Sequence, residues 1–300
     1  MVDQKKAYLF ALAAVLFWST VASAFKLSLR TLTPAELLLY AGLTSTLVLG
    51  LILLVQGKLG EALTGPGKQY GRALKLGLLN PFLYYLILFK AYDLLPAQEA
   101  QPLNYTWAIT LTLLSIPLLK QKISGKEIAA VVVSYVGVVV ISTRGAFFRL
   151  HFTNPFGVAL ALGSTVIWAL YWIYNTRDGR DPVVALFQNF FFGALFILAY
   201  CALTSQLRLP PYQGLLGAVY VGVFEMGITY VLWLQALRLS ENTAKVGNLI
   251  FLSPFLSLVF IHFLVGETIY PSTYAGLLLI VAGLFIQRFG AGMLRRKSPR

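Results

Sequence analysis

The sequence predicts an all-α polytopic membrane protein with ten transmembrane helices in two inverted-topology five-helix repeats. Three observations predict it. Ten mostly apolar stretches, each close to the ~20 residues that a span requires, fill almost all of the chain, with short connections between them. Hydrophobic residues make up 58% and charged residues 12%, about half the roughly 25% charge of a soluble domain. Finally, the last five stretches repeat the pattern of the first five.

The elements follow in order. Ala7–Phe25 comes after Lys5 and Lys6 and contains Ala22-Ser23-Ala24, which imitates a cleaved leader. Its counterpart in the second half assigns it to the fold instead. Pro34–Val55 opens with a proline in its first turn, where the missing N–H costs nothing, and Glu36 reads as a cap feature. Ala73–Tyr92 is broken by Asn80-Pro81. The Gly65-Pro66-Gly67-Lys68 tract before it has Ala62 and Gln69 where a phosphate loop needs Gly and Ser or Thr, so it reads as a turn. Ala97–Leu119 starts with Gln98 and Glu99 and carries Pro102 and Pro117; Glu127–Ser142 closes the half.

The second half runs Pro155–Tyr174, Val183–Leu203, Gly214–Leu237, Lys245–Val265 and Ser272–Arg288. Gln188 and Asn189 read as cap or interhelical hydrogen-bonding groups. Gly214, Gly217, Gly222 and Gly227 thin the eighth span, and Pro254 interrupts the ninth. The single cysteine, Cys201, lies inside a span, which excludes a disulfide framework.

The net charge of +13 would suit nucleic acid if it were clustered. It is not: with a cytoplasmic N-terminus, 18 of the 24 Lys and Arg fall on inner segments and 6 on outer ones. This bias places both termini in the cytoplasm. The basic tail Arg295–Arg300 reads as a topology signal or a contact with anionic headgroups.

The repeat shows in offsets. At 145, Leu79–Tyr92 lies over Phe224–Leu237, pairing Tyr85 with Tyr230, Ala91 with Ala236 and Gly77 with Gly222. At 146, Gly137 meets Gly283; at 150, Phe17-Trp18-Ser19 meets Ile167-Trp168-Ala169. The halves are 1–148 and 149–300. Five spans are an odd number, so the second half enters the membrane from the opposite side, the build of secondary transporters with a midplane site and alternating access. Catalytic groupings are missing: His151 and His262 have no partner spacing, no HExxH occurs, and Asp93, Asp178 and Asp181 sit at span ends. Neither an enzyme nor a cofactor is expected. The expected partners are a small-molecule substrate and membrane lipid, without nucleic acid.

The ten spans, the duplication, Leu16-Phe17-Trp18-Ser19, the run Ala236…Ala244…Asn248…Pro254 and Gly266-Glu267 resemble the EamA-type drug/metabolite transporter superfamily. Within it, the aromatic-rich spans look most like bacterial aromatic amino acid exporters of the YddG type. The resemblance implies export of amino acids and related metabolites, aromatic ones favoured, across the inner membrane. The chain departs from the pattern at Gln121-Lys122, where the second half has Glu267-Thr268, and at Tyr40, where the family often has arginine. The alternatives are an exporter of lipophilic cations or drugs and a non-transporting membrane scaffold.

Candidate substrate-binding residues are Trp18, Asn80, Tyr84, Tyr85, Trp107, Trp168, Glu225, Tyr230, Lys245 and Asn248. The aromatics lie mid-span, where a Trp N–H or Tyr O–H needs a partner that lipid does not supply; a cavity wall and helix packing both satisfy it. Glu225, midway along the eighth span, is the deepest ionisable group. It binds a substrate ammonium, carries a coupling proton, or is protonated and hydrogen-bonded structurally. Its repeat mate is Asn80, at the Asn-Pro break. Glu99 and Lys245 are repeat mates that start on opposite sides of the membrane. Lys245 either snorkels or attracts a carboxylate; Glu99 suits its helix N-terminus.

Overall fold

The computed structural model describes residues 2–120, 124–146, 154–175, 178–241 and 246–295, with side chains through 286. These residues form helices and turns and no strand. Among the described residues, nine helices are long and apolar enough to cross a membrane: α1 Gln4–Ser28, α2 Pro34–Val55, α3 Gly67–Leu94, α4 Ala97–Leu119, α5 Gly125–Ser142, α6 Pro155–Asn175, α7 Pro182–Leu203, α8 Tyr212–Leu239 and α9 Asn248–Val265. The tenth, α10 Pro271–Arg295, is apolar through Ile286. A single turn, Leu59–Leu63, precedes α3. The polytopic all-helical class read from the sequence is the one observed. Several bounds differ from expectation: α3 begins six residues before Ala73, α10 continues past Arg288 to Arg295, α1 and α8 extend a few residues at each end, and the helical part of α9 begins after Lys245, which lies outside the described residues.

Local chemistry explains where helices start. Thr33 and Glu36 form a reciprocal capping box at α2, and Ser124 and Glu127 form another at α5. Asp181 accepts from the Val183 and Val184 amides ahead of Pro182, the same N-cap-plus-proline opening as Thr33-Pro34. Glu36 is thus the cap feature expected of it; it also accepts from Arg208 at 3.2 Å.

Two helices are broken mid-span, at repeat-related places. In α3 the turn Leu78–Leu83 is widened and Asn80 is extended (φ −144°, ψ 118°), because Pro81 has no N–H to give the helix ladder. In α8 the turn Val221–Glu225 is widened and Gly227 is non-helical. Backbone carbonyls freed at such a break need donors. In α8 they find them: Thr229 donates to Phe224 O, and Ser45 of α2 donates to Met226 O at 2.9 Å.

Packing follows the small residues. The pair α5–α10 is the most extensive helix contact. A Cβ on Gly137 would stand 2.5 Å from Gly276 O, and one on Gly283 would stand 2.7 Å from Ala130 O. Likewise α3 meets α7 through Gly77, whose Cβ would lie 2.4 Å from Asn189 O, and α8 meets α2 through Gly222, 2.5 Å from Ala41 O. The helix pairings exchange between halves. α1 packs on α8 and α9, and α6 packs on α3 and α4; α2–α8 answers α3–α7.

Each end of the bundle carries polar contacts within and between its connections and helix ends. At the end that holds the N-terminus, here the basic end, Lys58 reaches Asp181 at 2.6 Å and Arg180 reaches Asp178 at 2.5 Å. At the far end, Glu99 pairs with Arg144 at 3.0 Å, and the Arg144 guanidinium lies 4.7 Å from the Tyr270 ring centroid. Glu99 is therefore a buried ion-pair partner as well as a first-turn acid. The Glu267 carboxylate accepts from the Ala97 and Gln98 amides at 2.7 and 3.1 Å, capping α4 from the other half. Lys26 donates to Tyr92 O and Leu95 O at the end of α3, and Arg30 to Val265 O at the end of α9.

Candidate functional site

Close to the two mid-span breaks, side chains of α3 and α8 reach each other in the buried core. Tyr85, fully buried on α3, donates to Glu225 Oε1 at 3.0 Å and lies 3.4 Å, oxygen to oxygen, from the Tyr230 hydroxyl. Repeat mates thus meet each other beside the carboxylate. Glu225 Oε2 is buried with no hydrogen bond among the described residues. A carboxylate this deep is costly and is balanced by a cation or a proton. No Lys, Arg or His stands within ion-pairing distance of it among the described residues.

Trp168 of α6 is the hub of an aromatic wall. Its ring lies 4.6 Å from Tyr84, 5.7 Å from Tyr171, 5.9 Å from Trp172, 6.3 Å from Tyr230 and 6.4 Å from Trp107. Trp18 of α1 joins through Tyr230 (5.9 Å) and Trp233 (5.5 Å). Offset and edge contacts at these separations fit the ring quadrupoles. Tyr84 donates to Asn104 Oδ1 at 3.3 Å, and Asn104 donates to Ser164 at 3.1 Å.

Asn80 adjoins this wall at Tyr171. It is wholly buried, and neither amide atom makes a hydrogen bond of normal geometry, although the Tyr171 hydroxyl is close enough to interact with it. From Tyr171 a polar chain leads to the basic end: Asn189 (3.5 Å), Arg180 (3.1 Å), then Asp178. Arg180 also donates to Gln188 at 2.6 Å, and Gln188 donates to Ala62 O at 2.7 Å. Gln188 and Asn189 are thus interhelical hydrogen-bonding groups.

Seven of the sequence-predicted residues, Trp18, Tyr84, Tyr85, Trp107, Trp168, Glu225 and Tyr230, are joined by direct contacts into one cluster. Asn80 adjoins it through Tyr171. Asn248 opens α9 with a buried Oδ1, and no hydrogen bond joins it to the cluster. Lys245 lies outside the described residues. The sequence reading missed Asn104, Tyr171, Trp172 and Trp233. Spacing carried a signal for three of them: Tyr171 and Trp172 are three and four residues from Trp168, and Trp233 three from Tyr230, each on the same helix face.

A helical bundle of this build, with an aromatic-lined carboxylate at its middle, defines a multi-pass membrane protein. The chain belongs to the EamA-like transporter family, which matches residues 5–143 and again 155–288. It is similar to an uncharacterized transporter of Clostridium kluyveri, 26% identical over 94% of this chain and 93% of the relative. It also resembles the probable amino-acid metabolite efflux pump of Salmonella typhimurium, 25% identical over 93% and 94%. To the aromatic amino acid exporter YddG of Ancylobacter novellus it is 24% identical over 60% of this chain and 63% of that one. A solved crystal structure matches with TM-score 0.67 and 24% identity, covering 99% of this chain and 100% of that chain, which shows the fold. The family resemblance read from the first-span tract and the Gly266-Glu267 pair is thereby shown. The protein is a membrane transporter, and the three relatives are named as a transporter, an efflux pump and an exporter.

Proposed function

We propose that this transporter exports small metabolites, amino acids and aromatic ones above all, across the inner membrane by alternating access. The observation that carries the reading is the Glu225 carboxylate. One oxygen is held by Tyr85, the other is unpartnered among the described residues, and Trp168 and Tyr84 stand alongside. A substrate ammonium supplies the missing cation, and a flat side chain stacks on the rings. The names of the Salmonella and Ancylobacter relatives favour the same substrate class. Trp18, Trp107, Tyr230 and Asn80 complete this assignment as wall and polar patch. Lys245 and Asn248 belong to it as groups at the start of the ninth span.

In this reading the halves, 1–148 and 149–300, are related by a two-fold axis in the membrane plane that runs beside the Tyr85–Tyr230 contact. The exchange of helix pairings between halves supports it. Both termini are cytoplasmic, as the charge bias favours.

The test is counterflow in proteoliposomes loaded with one unlabelled amino acid at a time. Accumulation of labelled aromatic amino acid, absent from protein-free liposomes, is expected. Failure with every amino acid, in folded protein, would sink this substrate class. Transport of a quaternary amine under the same conditions would turn the assignment to lipophilic cations, which the rings around Glu225 also suit.

A further inference from the structure

The break in α3 has a second consequence, at the far end of the bundle. On the basic side of the break α3 lies tight on α7: Gly77 abuts the α7 backbone, and a Cβ on Gly193 would stand 2.4 Å from the Pro81 ring. Beyond the break, Tyr84–Leu94 packs on α6 and α2 instead. A groove of about 990 Å³ lies where the helices part. Its wall is apolar, formed by Leu86, Ile87, Phe156, Leu160 and Tyr200. At the break, Phe82 stacks with Phe196 (6.0 Å) and contacts Tyr200 (5.9 Å). Phe156 is 62% exposed.

The groove's rim is charged. Arg30, Lys90 and Arg208 line it, with Asp93 and Glu36. Glu36 is already committed, since one oxygen accepts from Thr33 N and the other from Arg208 Nε, and its side chain is 8% exposed. The cations are more open: the Arg208 side chain is 66% exposed and that of Lys90 45%. The groove is separate from the central site, because Tyr85, Leu88 and Phe89, between Leu86 and Lys90 or just before them on α3, are buried in the core.

We propose that this groove binds a phospholipid of the far leaflet, with one acyl chain along the apolar wall and the phosphate on Arg208 and Lys90. The wall lies within the apolar length of the helices and the rim at their ends, at headgroup depth. The volume is in the range of ligand pockets, roughly 300–1,000 Å³. Guanidinium and ammonium donors match phosphate oxygens. Both rim carboxylates are engaged, Glu36 by Arg208 and Asp93 by Lys90 at 2.6 Å, so the rim's three cations leave a net positive charge that favours an anionic headgroup such as phosphatidylglycerol over zwitterionic phosphatidylcholine.

The test is native mass spectrometry of purified full-length protein with each of these two lipids added in turn. It reads lipid retention and needs no transport assay. Wild type is expected to retain one phosphatidylglycerol per chain, at least several-fold more than phosphatidylcholine. The variant K90Q/R208Q, altered only at exposed positions, is expected to lose that preference. Leu160→Trp, which fills the groove and leaves the rim intact, is expected to lose both lipids while eluting as a monodisperse species. No retention by wild type, or retention and preference unchanged in either variant, would overturn the proposal. A dimer that forms without lipid and disappears in Leu160→Trp would assign the groove to a second copy of the chain and overturn it as well.

Discussion

At the scale of single residues the centre of the protein is a carboxylate held by Tyr85. Glu225→Gln keeps the shape and removes the charge. A hydrogen bond to a charged group is worth about 1.5–3 kcal/mol, so transport by this variant is expected to fall roughly ten- to hundredfold. Membrane insertion and detergent elution should stay normal. Trp168→Ala removes the ring that touches Tyr84, Tyr171, Trp172, Trp107 and Tyr230, and the same assay should show transport lost with insertion intact. Normal flux in both variants would remove the site assignment. The basic-end ion pair makes a separate claim. The side chains of Asp178 and Arg180 are each only 4% exposed, and removing one partner of a buried pair costs about 3–5 kcal/mol, so Asp178→Asn should clearly lower the melting temperature. Burial raises the Asp178 pKa, but the hydrogen bonds from Arg180 outweigh it and hold the carboxyl below its ordinary value; Lys58 does the same for Asp181. A depressed folded-state value means that this stability is fully present above the unfolded carboxylate value of about 3.9 and is lost as pH falls through the lower folded value. Melting curves in detergent should therefore be flat above about pH 5 and drop at lower pH, with a smaller drop in Asp178→Asn.

At the scale of elements, small residues set which helices meet. Gly137 and Gly283 leave no room for a side chain between α5 and α10. Gly283→Leu or Gly137→Leu should separate that pair, costing about 1–3 kcal/mol or more and giving aggregated or unstable protein, with Ala the milder variant. A melting temperature unchanged by leucine would show that the pair does not pack as described. Much at this scale was legible in the sequence. Spans declare themselves because lipid forces every backbone group into a helix and every outward side chain to be apolar. Pro81 announced the α3 break because it has no N–H. The matching break in α8 has no proline, and the sequence showed there only a span thinned by Gly222 and Gly227. Contacts between distant elements were not legible. Glu99 reads as a first-turn acid until Arg144, 45 residues on, is placed against it. Asn104 reads as a lone polar residue until Tyr84 is seen to donate to it. Spacing along one helix shows which residues share a face, but the register of one helix against another is set by side-chain packing that no single stretch encodes.

At the scale of the whole molecule, the two family-matched segments, 5–143 and 155–288, meet through buried side chains of both. Helix pairings swap between them, and the mates Tyr85 and Tyr230 touch. One broken helix carries Glu225 and the other Asn80, so under the proposed function an asymmetric pair of polar groups faces the substrate. Rocking one half on the other would open each end in turn, and this requires that the ends face opposite sides of the membrane in the orientation the charges favour. The chain offers a clean test, because its one cysteine, Cys201, is wholly buried. Introduced cysteines at exposed end positions would then be the only reactive thiols in the folded protein. Lys58 lies at the basic end and Arg208 at the far end, with side chains 38% and 66% exposed. In intact cells a membrane-impermeant maleimide should label Arg208→Cys and leave Lys58→Cys untouched until the membrane is permeabilised. The reverse pattern would invert the orientation and with it the assignment of export. Labelling of both from outside would mean that the two positions share a side, which a chain with five spans between them, α3 to α7, cannot satisfy.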